Sequence, residues 1–468
     1  MPDSKKIAFI GGGSYQWVPV LFRDMAVNRH LQNVSFVLHD IDTQRNREMA
    51  DVCSVIARKL RSSIAVETED DLDETLRGAD AVVLCISTGG LDAMEHDIEI
   101  PKKYGIFQPV GDSTGPGGIS RTLRNIPVVV DLVRRMERLC PQAWLLNLSN
   151  PMNQIVRTVQ QASRIKVVGL CHEFKSFMGT IEELLDLGEW QSETSAVIAG
   201  INHFGWVQQL DVRGQDGFTL LRERMGQPDF AVGDGGGNGV NPSHSLSRNT
   251  VKFELFKNYG FIPYPGDRHL VEFFPYFLSE KTGHGADYNV ALTTIHDRRV
   301  TWQGWYQQRI EEWTDEAKES VPAEPSDEAL APILAALVGD GPTTIQPAAM
   351  PNQGQVMHLP LGSAVETMVT FSQGLAFPHA SGALPPAVHA LVQKHCLNQD
   401  LMVEAAIEGS RMKALQAMLA DPLNNNNDYR EIETMLDELL AANRMLLPQF
   451  FPRRVRGNAV PDGVLVSP

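Results

Sequence analysis

Residues 6–40, KIAFIGGGSYQWVPVLFRDMAVNRHLQNVSFVLHD, decide the fold. A short apolar run, Lys6–Ile10, ends in Gly11-Gly12-Gly13-Ser14, and residues from about Tyr15 to Asn28 then read as a helix. Val34–His39 is a second apolar run and stops at Asp40. Glycines in such a turn let the backbone approach a pyrophosphate, and the amino end of the following helix adds positive potential. An acid at the end of the second strand can accept from ribose hydroxyls, and its charge would repel a 2′-phosphate, which favours NAD over NADP. Two details pull the other way. Gln16 stands where a third glycine would complete G-x-G-x-x-G, and Asp40 could simply cap a turn with Asp42. The order strand, glycine turn, helix, strand, acid favours the dinucleotide.

The alternation continues outward. Met49, Val52, Ile56 and Leu60 recur at helical spacing, and residues 80–87 (DAVVLCIS) form an apolar strand that places Ser87 at its end beside the same cofactor. Arg121–Leu139 carries Leu123, Ile126, Val130, Val133 and Met136 on one helical face. Ala143–Leu148, Ile165–Leu170 and Ser195–Gly200 read as further strands. This predicts an α/β protein: a Rossmann-like, doubly wound NAD-binding domain over residues 1–200, then a mixed, largely helical domain over 201–468 for substrate binding and oligomerisation. Helical patterns fall at Asp327–Val338, Pro386–Cys396, Asp400–Leu419 and Tyr429–Leu446, with a loop at Gly233–Gly239, a connector at Ser320–Ser326 and an irregular tail after Pro452.

Ligands in such folds bind beyond the carboxyl ends of the strands. Two pairs end there, Cys171-His172 and Asn202-His203, and both should project into one cleft. A thiolate and an imidazole suit a divalent transition metal, and two protein ligands leave positions open for substrate. Asn150-Pro151 follows another strand; Asn150 can offer its amide to a sugar hydroxyl, or cap a helix that Pro151 begins. Asp112 is the carboxylate of a glycine-dense loop, residues 110–118. Residues 264–269 (YPGDRH) gather a phenol, a carboxylate, a guanidinium and an imidazole in a second loop.

The 468 residues carry a formal charge of −16, with 43% hydrophobic and 21% charged residues. Such a balance argues against nucleic-acid or anionic-membrane partners. No stretch approaches the ~20 apolar residues of a membrane span, and the amino-terminal apolar run is too short for a signal peptide. Five scattered cysteines fit reduced thiols, so a cytoplasmic location is expected.

As a set, KIAFIGGGS, GDSTGPGGISRTLRNIP, NLSNPMN, GLCHE, GINHFGW and GDRHLVEFFP, with the later MPNQGQVMHLP, SGALP and HCLNQ, resemble the family 4 glycoside hydrolases across nearly the whole chain. YGIFQPVGD, CHEF and GDRHLVEF look most like the α-galacturonidase branch. The resemblance implies a glycosidase that uses NAD and a divalent metal, Mn2+ by expectation. NAD would oxidise C3 of the sugar, the C2 proton would then leave, the aglycone would be eliminated, water would add and C3 would be re-reduced. Cys171 and His203 would hold the metal. Asp267, or Tyr264 as in other members, would remove the C2 proton, and Asp112 would protonate the leaving oxygen. Asn150, His172, Asn202 and Arg268 would contact the sugar. The partner would be a small carbohydrate, and the assembly a homodimer or homotetramer. Neutral α-glucosides, α-galactosides or α-glucuronides stay open as substrates. Two readings of another class also remain, an NAD-dependent sugar dehydrogenase, which would release NADH in proportion to product, and a non-catalytic NAD sensor.

Overall fold

The computed structural model describes residues 4–451 apart from 189, 228–229, 231–248, 316 and 318–320. The loop expected at Gly233–Gly239 and the tail after Pro452 lie outside the described residues, as does Ser320 of the expected connector.

Six parallel strands form the frame: β1 Lys5–Ile10, β2 Val34–His39, β3 Ala65–Thr68, β4 Ala81–Leu84, β5 Trp144–Asn147 and β6 Lys166–Gly169. Their spatial order is β3-β2-β1-β4-β5-β6, with β1 hydrogen-bonded to both β2 and β4. This is the dinucleotide-binding strand order, and its direction reverses between β1 and β4, where a crevice opens at the carboxyl ends. The expected fold class is the observed one. β1, β4 and β5 are buried on both faces, as sheets covered by helices on each side require.

The sheet does not stop at β6. Two later strands, β11 (Thr344–Pro351) and β13 (Ala364–Ser372), lie between β6 and the hairpin of β7 (Thr194–Ile201) and β8 (Phe204–Val212), all antiparallel, with β10 (Ile262–Pro263) outermost, β9 (Gln215–Asp216) on β8, and β12 (Val356–Met357) outside this sheet. Neither β11 nor β13 was expected. β11 reads TIQPAAMP, and its two prolines look like a loop; Pro347 and Pro351 are accommodated because β11 meets β6 through a single residue pair, Ala349–Gly169. The hairpin spans residue 200, so strands from both sides of that position share one sheet.

Helices cover both faces. On one side α3 (Leu72–Leu76), α4 (Gly90–Lys102), α5 (Gly115–Leu139) and α6 (Met152–Ala162) pack with the later helices Pro386–Glu408, Arg411–Ala420 and Tyr429–Ala442 in one apolar core. On the other, α1 (Val18–Val27) and α2 (Thr43–Leu60) share a core with Leu330–Val338 and Trp313. α5 begins six residues before the expected Arg121. Its Gly117 and Gly118 are there for close packing: a Cβ on Gly117 would come 2.9 Å from the carbonyls of Asp97 and Gly111, and one on Gly118 within 2.6 Å of Ser113 backbone. The helix from Pro386 runs on unbroken through residues 397–399 and ends at Gly409, which takes the left-handed conformation at φ +65°.

Candidate active site

At the carboxyl end of β1, the N–H groups of Gly11 and Gly12 both donate to the His39 carbonyl at 2.9 Å, and Gly13 N–H donates to Asp40 Oδ2 at 2.9 Å. Gly11 has φ +101°, and a Cβ there would overlap the Cys85 carbonyl oxygen beyond β4. Asp40 is therefore a turn-closing residue, with Asp42 N–H on its other oxygen at 2.9 Å, although each oxygen retains a lone pair for a ribose hydroxyl. No hydrogen bond joins the N–H of Ser14, Tyr15 or Gln16 to another group among the described residues. Three successive free N–H groups leading into α1 suit a diphosphate. Ile41, beside Asp40, is 97% exposed, an apolar platform at the mouth of the crevice. Ser87 lies across the crevice, where its hydroxyl accepts from Arg121 at 3.1 Å. These residues fit a dinucleotide.

Next to the glycine turn is a cleft of about 180 Å³ whose lining includes Gln16, Trp17, Asp112, Asn150, Cys171, His172, Glu173, His203, Arg268, His269, Arg298, Trp302 and Glu328. Asp112, His203 and His269 bring one ligand atom each within 4.8 Å of one another. The hairpin turn Asn202-His203 aims His203 into this group, with the residue held at φ +63°. Its Nδ1 is 2.7 Å from Ser113 Oγ, and its ring stacks on His269 at 3.6 Å. Burial lowers the pKa of His203, and burial and then His203 push His269 down to about 3. Burial would raise the Asp112 carboxyl, but His203, His269 and Arg121 outweigh it and hold the group well below the usual carboxylate range. Two neutral imidazoles and a carboxylate are a donor set for a divalent transition metal, and His269 Nδ1 is buried with no partner among the described residues.

Of the expected metal ligands, His203 belongs to this group and Cys171 does not. Cys171 lines the same cleft, where burial, with Glu173 and Glu366 adding to the effect, raises its thiol well above the usual range as long as no metal is bound to it. His269 is the imidazole noted in the 264–269 loop, to which the sequence reading gave no role of its own.

Asp267 and Tyr264 do not line the cleft. The Asp267 carboxylate, 0% exposed, accepts from Val251 N–H at 2.8 Å and Lys252 N–H at 3.0 Å, capping the helix Thr250–Tyr259. In this arrangement it serves as a helix cap, with one lone pair left on each carboxylate oxygen. Tyr264, 1% exposed, lies edge-on to Phe174 beneath Gly205 and faces the Glu366 carboxyl. Asn202 is also behind the cleft wall: its amide donates to Glu366 at 3.2 Å and its N–H to Asn153 at 3.1 Å.

Asn150 and His172 do line it. Asn150 Nδ2 donates to Asp112 at 3.0 Å, while its Oδ1 is buried without a partner. The peptide to Pro151 is cis, and Pro151 rather than Asn150 stands at the cap of α6. His172 Nδ1 is 3.1 Å from Glu328, and although burial disfavours its charge, Glu328 and Glu173 raise its pKa to about 9. Glu173 accepts from Gly266 N–H at 2.5 Å and lies 3.6 Å from His269. Asp421, from the carboxyl-terminal helical layer, accepts from Thr114 Oγ1 at 3.0 Å and Gly115 N–H at 2.9 Å, fixing the loop that carries Asp112 from outside.

The chain matches the family described as "Family 4 glycosyl hydrolase" over residues 6–187 and its C-terminal domain over residues 198–424. An alpha-galacturonidase of Thermoanaerobacter italicus is 33% identical over 442 residues, 93% of this chain and 95% of that protein. The fold is similar to the crystal structure of a putative glucosidase from Bacillus subtilis, with a TM-score of 0.84 and 31% identity over 94% of this chain and all of the other. It is also similar to a 6-phospho-alpha-glucosidase from gut microorganisms solved with NAD and Mn2+, with a TM-score of 0.80 and 18% identity over 96% of this chain and all of the other.

Proposed function

This chain belongs to glycosyl hydrolase family 4, and from that premise we propose that it is an α-galacturonidase working through transient oxidation of the sugar at C3. The observation that carries the reading is the joining of a dinucleotide crevice and a three-residue metal-ligand group in one cleft. A metal hydrolase has no use for the first, and a dehydrogenase would release NADH in proportion to product. The near full-length similarity to an alpha-galacturonidase points to the uronide among the possible α-glycosides.

When bound, NAD supplies reversible oxidation at C3, and a divalent metal such as Mn2+ supplies Lewis acidity at the neighbouring oxygens. Asp112, His203 and His269 would hold the metal, and Gly11 to Gln16 the diphosphate. Asn150, with an unpartnered amide oxygen, accepts from a sugar hydroxyl. Asp112 stays ionised at neutral pH, so it serves as ligand or proton acceptor rather than as the acid first expected of it. His172 is protonated there and lines the cleft, which makes it the proton donor to the departing oxygen.

That role has a specific signature. His172→Gln should lower kcat by about 100-fold for an unactivated galacturonide disaccharide but by only a few-fold for the nitrophenyl glycoside, whose leaving group departs without a proton. Equal losses on the two substrates would remove His172 from the donor role.

The reading as a whole is tested in heavy water with NAD, Mn2+, a thiol reductant and p-nitrophenyl α-D-galacturonide, followed by NMR of the product. Deuterium at C2 with no net NADH is expected. Cleavage without C2 exchange would rule out the oxidative route, and NADH in proportion to product would identify a dehydrogenase. No cleavage of the galacturonide beside cleavage of a neutral α-glycoside or the glucuronide would move the substrate within the same family.

A further inference from the structure

Two guanidinium groups line the cleft, and their situations differ. Arg268 is anchored, donating through one Nη to the Pro109 carbonyl at 2.7 Å and to the Thr293 hydroxyl. The Nε of each is buried without a partner, but no hydrogen bond or ion pair holds the terminal nitrogens of Arg298 among the described residues, whereas one terminal nitrogen of Arg268 has two oxygen partners. A buried Nε–H left unmatched is costly, and the half-buried terminal nitrogens of Arg298 are not taken up by the carboxylates nearby. Asp112 is taken up by Ser113, Asn150 and His203, Glu173 by Gly266 and His269, and Glu328 by His172.

The backbone fixes how this group is presented. Residues Asp297–Trp302 wind with the wide i→i+5 spacing of a helix with about 4.4 residues per turn, so Arg298 and Trp302 fall on one face. The guanidinium lies 4.7 Å over the Trp302 ring, and both side chains line the cleft. A guanidinium resting on an indole keeps its plane and its charge while its N–H edge stays free to receive a planar anion through two parallel bonds. Burial first, and then the Arg268 cation, press its pKa down to about 9, with Asp112 opposing, which leaves it charged at neutral pH.

We infer that Arg298, levelled by Trp302, is the residue that grips the C6 carboxylate of the sugar and so sets the preference for a uronide over a neutral hexoside. This rests on the galacturonide reading above and adds a residue that the sequence analysis did not single out, since its sugar-contacting arginine was Arg268. Arg268 is the weaker choice because its Nη already has two oxygen partners.

The test compares wild type, R298M and R298K, each with NAD and Mn2+, on p-nitrophenyl α-D-galacturonide, its methyl ester and p-nitrophenyl α-D-galactoside. Binding of free galacturonate, galactose and NAD is measured in parallel by calorimetry. R298M should lose about 100-fold in kcat/KM on the galacturonide, mostly through KM, and little on the ester or galactoside. Galacturonate affinity should fall with it, NAD affinity should stay within about 2-fold, and R298K should recover part of the loss. An unchanged ratio of acid to ester in R298M and R298K would overturn the assignment, with the galacturonide reading intact. A fall in NAD affinity that matched the loss of activity would also overturn it, making Arg298 a cofactor-phosphate ligand instead. A wild-type protein that bound galacturonate no better than galactose would overturn the assignment together with the uronide reading.

Discussion

Replacing His203 by alanine is expected to reduce kcat/KM by about 10³-fold or more and to abolish tight binding of Mn2+. His203 is the member of the Asp112–His203–His269 group with the most fixed approach. It sits in a two-residue turn between paired strands at φ +63°, bonded through Nδ1 to Ser113, so the other ring nitrogen is directed. Removing it deletes one ligand and also the ring on which His269 stacks. The comparison that matters is with Cys171→Ser. If the three-residue group is the ligand set, the serine variant should bind Mn2+ within about 10-fold of wild type while H203A does not. Calorimetric titration with Mn2+ reads both. A C171S protein as defective as H203A would return the thiol to the metal, and an H203A protein with wild-type Mn2+ affinity would dismiss the group.

The second large effect belongs to Gly11. A Cβ at this position would overlap the Cys85 carbonyl, which is backbone and part of the sheet's edge at the crevice, and the residue's φ of +101° is strained for any L side chain. Gly11→Ala should cost about 3 kcal/mol or more of stability and abolish detectable NAD binding, because relief requires β1 and β4 to part where the cofactor would lie. Gly12 supplies the contrast. A Cβ there meets side chains most closely, Asn46 Oδ1 at 2.2 Å and Leu38 Cβ at 3.0 Å, rather than a sheet carbonyl, and Gly12 does not need a positive φ, so Gly12→Ala should be milder in a thermal melt. Equal destabilisation by the two variants would mean that the turn is not held by the β1–β4 contact.

Much of this was legible from the chain because the cofactor half is written in local pattern. The strands carry uninterrupted apolar runs, and glycine or acid follows at their carboxyl ends, so order and spacing alone placed Gly11, Asp40, Ser87, Cys171 and His203 on one rim. What stayed hidden was what long-range pairing decides. Nothing local in TIQPAAMP or AVETMVTFS says that these strands enter the sheet between β6 and β7. Nothing in YPGDRH says that Asp267 turns back to cap a helix whereas His269 turns inward. Glu173, Glu328, Arg298 and Trp302 look like ordinary helix residues until the fold lays them beside Asp112. The clue available for His269 was its position in a loop already dense in protic side chains.

The late arrival of β11 and β13 bears on how the protein is made. A ribosome delivers β6 long before residues 344–372 exist, so the nascent sheet must wait with the edge of β6 unpaired and the β7–β8 hairpin without its seat. The loop of Asp112 waits longer still, for Asp421. Cleft and crevice can mature only when nearly the whole chain has emerged, so the synthesis of residues 170–372 is the interval in which the β6 edge is open to pairing with another chain.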